Sequence, residues 1–285
     1  MNGIYWLASY PKSGNTWTRT LLTNYLGEKE VPADINALET DSIASSRLLF
    51  DDYVGLASSD LSEEQIHIYR PAVYKLMNKE SERDLYMKVH DAFSINTKSL
   101  PLIPPSITKG VIYIIRNPHD VAVSYAHHNN NTIEHMVQNV CNETYTIARN
   151  KKDQAAQLSQ LLLSWSGHVK SWADSGLNIH IMRYEDMKKE PFATFKAMLT
   201  FMDIEVDEDK LKQAIKFSNF EVLKNQEDNA GFKERSHKAT SFFRKGEIGS
   251  YRDELNSKQI EKITKYHQKM MLKYGYLTTD NRLVY

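Results

Sequence analysis

The first residues that could do chemistry form a short polar loop around Lys12 and Gly14. The loop reads Tyr10-Pro11-Lys12-Ser13-Gly14-Asn15-Thr16-Trp17. It follows an apolar run, Ile4 to Ala8, that is typical of a buried strand, and it precedes a helical pattern. A helix N-terminus at the carboxyl end of a strand offers free N–H groups and a favourable dipole to an anion. The pattern predicts a phosphate site with Lys12 as the cation and Gly14 allowing close backbone approach.

The order of residues in this loop differs from that of the common nucleotide P-loop. That P-loop reads G-x-x-x-x-G-K-[ST], with the lysine after the second glycine and a hydroxyl residue for magnesium. Here Lys12 precedes the loop's only glycine, Gly14. The order disfavours an ATPase or kinase, and a plain strand-to-helix turn is the remaining alternative for this segment taken alone.

A second apolar run ends in an arginine that suits phosphate binding. Residues 114–125 read IIRNPHDVAVSY, which predicts a strand, a loop and a helix with Pro118 in its first turn. The planar guanidinium of Arg116 can bind a phosphate through two parallel hydrogen bonds. The alternative is an arginine that lies on the surface or in an ion pair.

A further strand pattern ends with a lysine and a histidine two positions apart. Met87-Lys88-Val89-His90-Asp91 places Lys88 and His90 on one face of the strand. An imidazole there could accept a proton near neutral pH, with a cation beside it. A structural histidine paired with Asp91 is the alternative.

Near the C-terminus, a basic loop with two glycines could close over an anion. Residues 242–252 read FFRKGEIGSYR, in which Arg244 and Lys245 precede Gly246. A solvated basic loop is the alternative reading of this segment alone.

Strands that alternate with helices must position these motifs. Apolar runs rich in β-branched and aromatic residues predict strands at Ile4 to Ala8, Leu85 to Val89, Val111 to Ile115 and Ile179 to Met182. We therefore expect one α/β domain over residues 1–285, with a central parallel sheet flanked by helices and a P-loop-like nucleotide-binding architecture.

The remaining segments are assigned by apolar periodicity. Helices are predicted after the first and third strands and at Asp153 to Trp172, Pro191 to Met202, Asp207 to Phe217 and Ser257 to Lys273. Residues 27–83 are predicted to form helices and loops beside the sheet, with Phe50, Tyr53, Tyr69 and Tyr74 shaping an acceptor pocket. A mobile loop is predicted at Asn225 to Thr240, which should also border that pocket.

Composition sets limits on the kind of protein. The chain has 285 residues, with 36 Lys plus Arg and 36 Asp plus Glu, so no global charge attracts nucleic acid or a membrane surface. The N-terminus has no signal-peptide pattern, and Cys141 is the single cysteine. We expect a cytoplasmic protein without a metal site, without nucleic-acid or membrane partners, and unlike membrane-anchored enzymes of the secretory pathway.

These motifs, in this order, resemble those of the PAPS-dependent sulfotransferase family, and in general those of its bacterial small-molecule enzymes. In that family the first loop has the form Y-P-K-[SA]-G-[TN]-[TN]-W and holds the 5′-phosphosulfate of PAPS (3′-phosphoadenosine 5′-phosphosulfate). The resemblance implies that the 5′-phosphosulfate is held by Lys12, Ser13, Gly14, Asn15 and Thr16. It also implies that Trp17 packs on the adenine.

The resemblance assigns the other end of the nucleotide as well. The 3′-phosphate is implied to contact Arg116, Ser124, Arg244, Lys245 and Gly246. Weaker matches around Tyr184 and Phe220 imply an adenine-edge contact and a ring opposite Trp17. Ser250, Tyr251 and Arg252 replace the family's Asp, Trp and Lys, which leaves the packing of this lid open.

The implied reaction is in-line transfer of a sulfuryl group from PAPS to a hydroxyl of a small-molecule acceptor, with PAP as the product and no metal. His90 is implied to be the general base, Lys12 to stabilise the bridging oxygen, and Lys88 to contact the sulfuryl oxygens. A P-loop-type small-metabolite kinase and a non-catalytic nucleotide-binding protein are the two alternatives. Neither the acceptor nor the oligomeric state can be read from the sequence.

Overall fold

The computed structural model describes residues 2–27, 30–149 and 156–285. Its strands, in chain order, are β1 (Ile4–Ser9), β2 (Leu85–Val89), β3 (Thr108–Ile115), β4 (Thr146–Ile147), β5 (Gln160–Leu161) and β6 (Ile179–Arg183). The central sheet has the order β2-β1-β3-β6, and all its neighbouring strands are parallel. Strands β4 and β5 form a separate antiparallel pair. The predicted α/β fold with a central parallel sheet is confirmed.

Helices flank both faces of the sheet. They are α1 (Asn15–Leu26), α2 (Arg47–Val54), α3 (Glu63–Glu80), α4 (Pro118–Asn129), α5 (Ile133–Val140), α6 (Trp165–Ala173), α7 (Tyr184–Lys189), α8 (Pro191–Phe201), α9 (Glu208–Phe217), α10 (Phe220–Ala230) and α11 (Ser257–Lys273). Short 3₁₀ turns lie at Ser58–Asp60, Pro105–Ile107 and Ser250–Asp253. Within the described ranges, no helix combines the length and the apolar character needed to cross a membrane.

Alternation along the buried strands divides the core into two layers. Trp6 of β1 packs in one cluster with residues of α3, α4, α6 and α11. Its neighbour Leu7 points to the opposite face and packs with residues of α1, α8 and α9. Both side chains are fully buried, so the sheet is covered on both faces, as parallel sheets require.

The strand register brings the predicted motifs to one edge of the sheet. Ala8 of β1 pairs with Val89 of β2, and Ser9 pairs with Ile114 of β3. The residues that follow each strand therefore emerge side by side at the carboxyl edge. In open α/β sheets this edge is where ligands bind.

Two predicted segments are wrong in the described part of the chain. The helix expected at Asp153 to Trp172 begins only at Trp165, because Leu163 has a positive φ of 61° and Ser164 caps the helix at the N–H of Gly167. Before that cap, β5 pairs with β4, and residues 153–155 lie outside the described residues.

The second correction concerns the loop expected at Asn225 to Thr240. Helix α10 continues through its first part to Ala230, and Leu223 and Glu227 of this helix are buried. The side chain of Asn219 caps α10 at the N–H of Val222. The irregular segment therefore starts at Gly231.

A buried ion pair fixes the chain just beyond β2. Arg70 of α3 donates two hydrogen bonds to Asp91, at 2.7 and 2.8 Å, and a third to the hydroxyl of Tyr74, at 2.9 Å. Tyr74 in turn donates to the carbonyl of Ala44. Asp91 follows His90 directly, so this network holds the end of β2 against α3.

We predict that Arg70→Met lowers the free energy of unfolding by about 3–5 kcal/mol, because it leaves the Asp91 carboxylate buried without its partner. Urea unfolding followed by circular dichroism measures the change. Arg149→Met is the matched control, since the Arg149–Glu63 pair is exposed and its loss should change stability by only about 0.5 kcal/mol. Equal losses in the two variants would contradict the role given to Arg70.

Candidate active site

A cavity of about 1020 Å³ opens at the carboxyl edge of the sheet. The predicted residues that line it are Lys12, Gly14, Asn15, Thr16, Trp17, Lys88, His90, Arg116, Ser124, Tyr184, Phe220, Arg244, Lys245 and Gly246. Ser13 is the exception, because its side chain is buried within the loop. The structure thus brings all four sequence motifs to one site.

The loop between β1 and α1 has the geometry of an anion cradle. Gly14 is the N-cap residue of α1, with a φ of 112°, and it has no side chain that could cap the first turn. Its amide groups can therefore face a ligand. A Cβ at position 14 would lie 2.9 Å from Cδ2 of Tyr184, so only glycine fits here without a shift.

Four buried hydrogen-bond donors in or beside this cradle have no partner in the described part of the chain. They are the hydroxyls of Tyr10 and Ser13, the Nε1 of Trp17 and the Nε of Arg116, and of these residues Trp17 and Arg116 line the cavity. Buried polar atoms are normally hydrogen-bonded, and donors in particular fit the oxygens of an anionic ligand. This arrangement fits a phosphorylated nucleotide.

Arg116 joins three segments of the site. Its Nη1 donates to the carbonyl of Lys12 at 3.1 Å, and its Nη2 donates to the carbonyl of Glu247 at 3.0 Å. The guanidinium carbon lies 4.2 Å from the ring centroid of Tyr184. Two carbonyls and one aromatic ring therefore fix its planar group at the end of β3, and Nε is left without a partner in the described part of the chain.

Lys12 is a cation in an unusually unfavourable environment. Burial, together with the positive charges of Arg116 and Lys88, lowers its pKa to about 7. Its Nζ lies 3.6 Å from the ring centroid of Phe242. An anion in the cradle would relieve both the desolvation and the repulsion.

The imidazole of His90 is held in one tautomer. Its Nδ1 lies 2.8 Å from the carbonyl of Ser9, so Nδ1 carries the proton and donates, and Nε2 keeps a free lone pair. Burial, and next the charge of Lys88, lower the pKa of His90 well below its usual value. The ring is therefore neutral at physiological pH and able to accept a proton.

The backbone of His90 is fixed by His168 of α6, which is in turn held by β3. Nε2 of His168 donates to the carbonyl of His90 at 3.0 Å, and Nδ1 of His168 accepts from the hydroxyl of Tyr113 at 2.8 Å. Tyr113 belongs to β3, so the histidine at the end of β2 is held relative to the strand that carries Arg116.

Lys88 is paired with a carboxylate that sequence reasoning missed. Its Nζ lies 2.9 Å from Oε2 of Glu234, whose Oε1 lies 2.7 Å from Nη1 of Arg19. Arg19 could have been found, because it lies four residues after Asn15 on the same face of α1. No local pattern marks Glu234, which lies in an irregular segment with little apolar periodicity.

The aromatic residues Trp17, Tyr184 and Phe220 line another part of the cavity. The Nζ of Lys188 lies 5.9 Å from the ring centroids of both Trp17 and Phe220. The hydroxyl of Tyr184 donates to the carbonyl of Gly246. A flat heteroaromatic base could stack on rings of this kind.

The basic loop near the C-terminus is anchored by one carboxylate. Asp120 of α4 accepts hydrogen bonds from the N–H of Gly249, the hydroxyl of Ser250 and the N–H of Tyr251. Tyr251 is fully buried and stacks on His119 with ring centroids 4.7 Å apart. Of the three residues that depart from the family pattern, Ser250 and Tyr251 are therefore firmly packed, whereas Arg252 is exposed.

The cations of this loop are partly neutralised within the chain. Arg244 pairs with Glu254 at 2.8 Å, and the Nζ of Lys245 lies 3.4 Å from the same carboxylate. Ser124 lines the cavity from α4, on the side of Arg116. The residues predicted to contact a 3′-phosphate thus all line the same cavity.

The four aromatic residues expected to shape an acceptor pocket do not line the cavity. Phe50 and Tyr74 are buried in the core, and Tyr69 is exposed. The wall is instead built from residues 38–46, a segment held beside β2 because the N–H of Ala44 bonds to the carbonyl of Lys88. In the described ranges, no three His, Cys, Asp or Glu side chains cluster as metal ligands.

Comparison with known proteins gives concordant matches. Residues 4–275 match the sequence model of the sulfotransferase domain. The chain is 25% identical to luciferin sulfotransferase of Photinus pyralis, over 95% of this chain and 72% of that protein. It is 29% identical to flavonol 3-sulfotransferase of Flaveria bidentis, over 91% of this chain and 78% of that protein.

A solved structure shows the same fold. Mouse sulfotransferase SULT7A1, complexed with PAP, superposes with a TM-score of 0.61 at 19% identity. The superposition covers 94% of this chain and 84% of that one.

We predict that Gly14→Ala lowers the free energy of unfolding by about 1–3 kcal/mol, because it adds a contact with Tyr184 to the strain of a positive φ. Gly55→Ala is the matched control. Gly55 has a φ of 72° but open space around it, so its substitution should cost only about 1 kcal/mol of backbone strain. Thermal unfolding measures both, and a smaller loss at Gly14 than at Gly55 would contradict the close packing of the cradle.

Proposed function

The chain belongs to the sulfotransferase family, and from this membership we propose that it takes a sulfuryl group from PAPS and transfers it to a hydroxyl of a small-molecule acceptor. One observation carries the proposal. The anion cradle after β1, the arginine after β3 and the Lys88–His90 pair at the end of β2 all line a single cavity. A nucleotide grip and a base are thereby placed together, as a transfer reaction requires.

The donor end of the cavity suits a doubly phosphorylated adenosine. We assign the 5′-phosphosulfate to the cradle, with Lys12, Ser13, Gly14, Asn15 and Thr16. The adenine is assigned to the part of the cavity lined by Trp17 and Phe220, with Tyr184 at its edge. The 3′-phosphate is assigned to Arg116, Ser124, Arg244, Lys245 and Gly246.

His90 is the proposed general base. Its free Nε2 lone pair lies in the same cavity as Lys88 and Lys12, and its lowered pKa keeps it neutral at physiological pH. The proton of the acceptor hydroxyl would pass to Nε2, while Nδ1 continues to donate to Ser9. The imidazolium formed would be stabilised by this carbonyl.

Bound PAPS supplies an activated sulfuryl group, whose bond to the 5′-phosphate oxygen breaks as the bond to the acceptor oxygen forms. Lys12 is placed to stabilise the charge that develops on the departing phosphate oxygen. Lys88, two residues from His90, is placed to hold the sulfuryl oxygens. Cations that are already fixed in a buried site stabilise the charge of the transition state strongly, because no water has to reorganise around that charge during the reaction.

We further propose that residues 1–285 form a single sulfotransferase domain, since the described part of the chain packs helices on both faces of one central sheet. Membership of this family argues against the kinase and the non-catalytic alternatives. Magnesium-dependent consumption of ATP would favour a kinase, and the absence of transfer from PAPS to any hydroxylated compound would favour a binding protein.

A screen of hydroxylated acceptors with sulfur-labelled PAPS tests the proposed function. With any acceptor found, we predict that His90→Ala lowers kcat by about 10²–10⁴-fold, because the general base is lost. PAP affinity, measured by calorimetry, should change less than about threefold, because the assigned nucleotide contacts remain. His135→Ala, an exposed histidine on α5, is the control. Wild-type turnover in His90→Ala would remove this residue from the role of base.

A second prediction concerns the charge of Lys12. Because its pKa is lowered to about 7, Lys12 loses its proton as pH rises through that value, and PAP binding should then weaken. Bound phosphate should raise this pKa, so binding at about pH 8 should take up a proton. Calorimetry in two buffers of different ionisation enthalpy measures that uptake. Lys12→Met should abolish it, and an undiminished uptake in this variant would refute the assignment.

A further inference from the structure

A carboxylate lies among the cations of the cavity. Glu234 comes from the irregular segment after α10, and its side chain is 22% exposed. Each carboxylate oxygen pairs with one cation. Oε1 lies 2.7 Å from the guanidinium of Arg19, and Oε2 lies 2.9 Å from the ammonium of Lys88. Burial opposes its charge, but Lys88 and Arg19 outweigh burial and lower its pKa to about 2. Glu234 is therefore ionised.

Arg19 is a cation that the proposed mechanism does not use. It lies on α1, five residues after Gly14, and its side chain is 8% exposed. Its Nε also donates to the hydroxyl of Thr40, at 3.0 Å, on the segment beside β2. Buried arginine requires a counter-charge, and here it shares that counter-charge with Lys88.

The position of Glu234 is central to the reaction site. Its charge acts on Lys12, His90 and His128, and in each of them it opposes the lowering of the pKa by burial. His128 lines the cavity from α4, so these groups face Glu234 from several elements. A carboxylate in this place competes directly with any anion that Lys88 is to hold.

A sulfuryl group resembles a carboxylate in the way it meets cations. Both are compact anions that can present two oxygens to two donors at once. Lys88 and Arg19, one on each side of the Glu234 carboxylate, could receive two sulfuryl oxygens in the same manner. The replacement would exchange one negative charge for another and leave neither cation unpaired.

We propose that Arg19 is a further donor-binding residue, and that Glu234 is an internal counter-anion which Lys88 and Arg19 exchange for the sulfuryl group of the donor. This inference rests on the proposed function. It distinguishes two nucleotides that differ only in that group. PAP has no sulfuryl group and can bind with Glu234 in place, whereas PAPS has to displace the carboxylate.

The test compares the binding of PAP and PAPS by calorimetry at about pH 6.5, without acceptor, where Lys12 is mostly protonated. In Glu234→Gln the competing charge is removed, so PAPS affinity should rise about fivefold relative to PAP affinity, which changes only through the effect of Glu234 on Lys12. In Arg19→Gln, PAPS affinity should fall about tenfold, and PAP affinity should change little.

Two controls keep the outcome clear. Glu261→Gln makes the same change at an exposed position on α11, which does not line the cavity, and should alter neither affinity. The double variant Arg19→Gln, Glu234→Gln removes both charges together, in case Glu234→Gln alone does not fold. The PAPS affinity of this double variant should fall more than its PAP affinity, because the proposed contact of Arg19 is to the sulfuryl group, which PAP lacks.

The inference is overturned if each variant changes the two affinities by the same factor, or changes neither. Equal losses would mean that Arg19 and Glu234 only hold the fold. Failure of the wild-type chain to bind either nucleotide would instead refute the proposed function. The two failures are therefore distinguishable.

Discussion

The burial of several cations at one edge of a parallel sheet is the constraint on which the site depends. Lys12, Lys88, Arg19 and Arg116 are all mostly withdrawn from water, and burial alone would discharge or destabilise them. The chain meets this demand in different ways. Lys88 and Arg19 share the Glu234 carboxylate, whereas Arg116 is held by two carbonyls and an aromatic ring. Lys12 has the least compensation, and its pKa is correspondingly low.

The proposed general base at this edge of the sheet also needs a rigid backbone, because a base acts only when its lone pair points toward the proton that it accepts. The ring of His90 is held by the carbonyl of Ser9 on β1, and its backbone is held by His168. His168 is itself held by Tyr113 on β3. The Arg70–Asp91 pair then fastens the residue that follows. The proposed base is thus supported from β1, β3, α3 and α6, so its position depends on the tertiary fold rather than on local sequence.

The parts of the fold and site that could be predicted from the sequence are those marked by a short local pattern. The strands and the loop around Gly14 were predictable because apolar runs and a glycine at a positive φ have direct local causes. The helix predicted before Trp165 was wrong, because Leu158 and Leu162 are buried in the core from an extended segment and do not form one face of a helix. The aromatic residues of α2 and α3 were predicted to line an acceptor pocket, but Phe50 and Tyr74 are buried in the hydrophobic core. Glu234 could not be predicted, since its partners lie more than a hundred residues away in sequence.

The sheet order separates two tasks along one edge. Residues assigned to the nucleotide follow β1 and β3, at the middle of the sheet, whereas the segment of residues 38–46 lies outside β2, at its margin. That marginal segment contacts β2 through backbone hydrogen bonds, which any non-proline side chain can maintain. Apart from Thr40 and Asp41, whose side chains accept hydrogen bonds from Arg19 and from the N–H of Tyr86, its cavity-lining side chains take no part in this pairing. Such a layout would let the proposed acceptor wall be altered at the periphery without disturbing the strands that carry the proposed donor contacts.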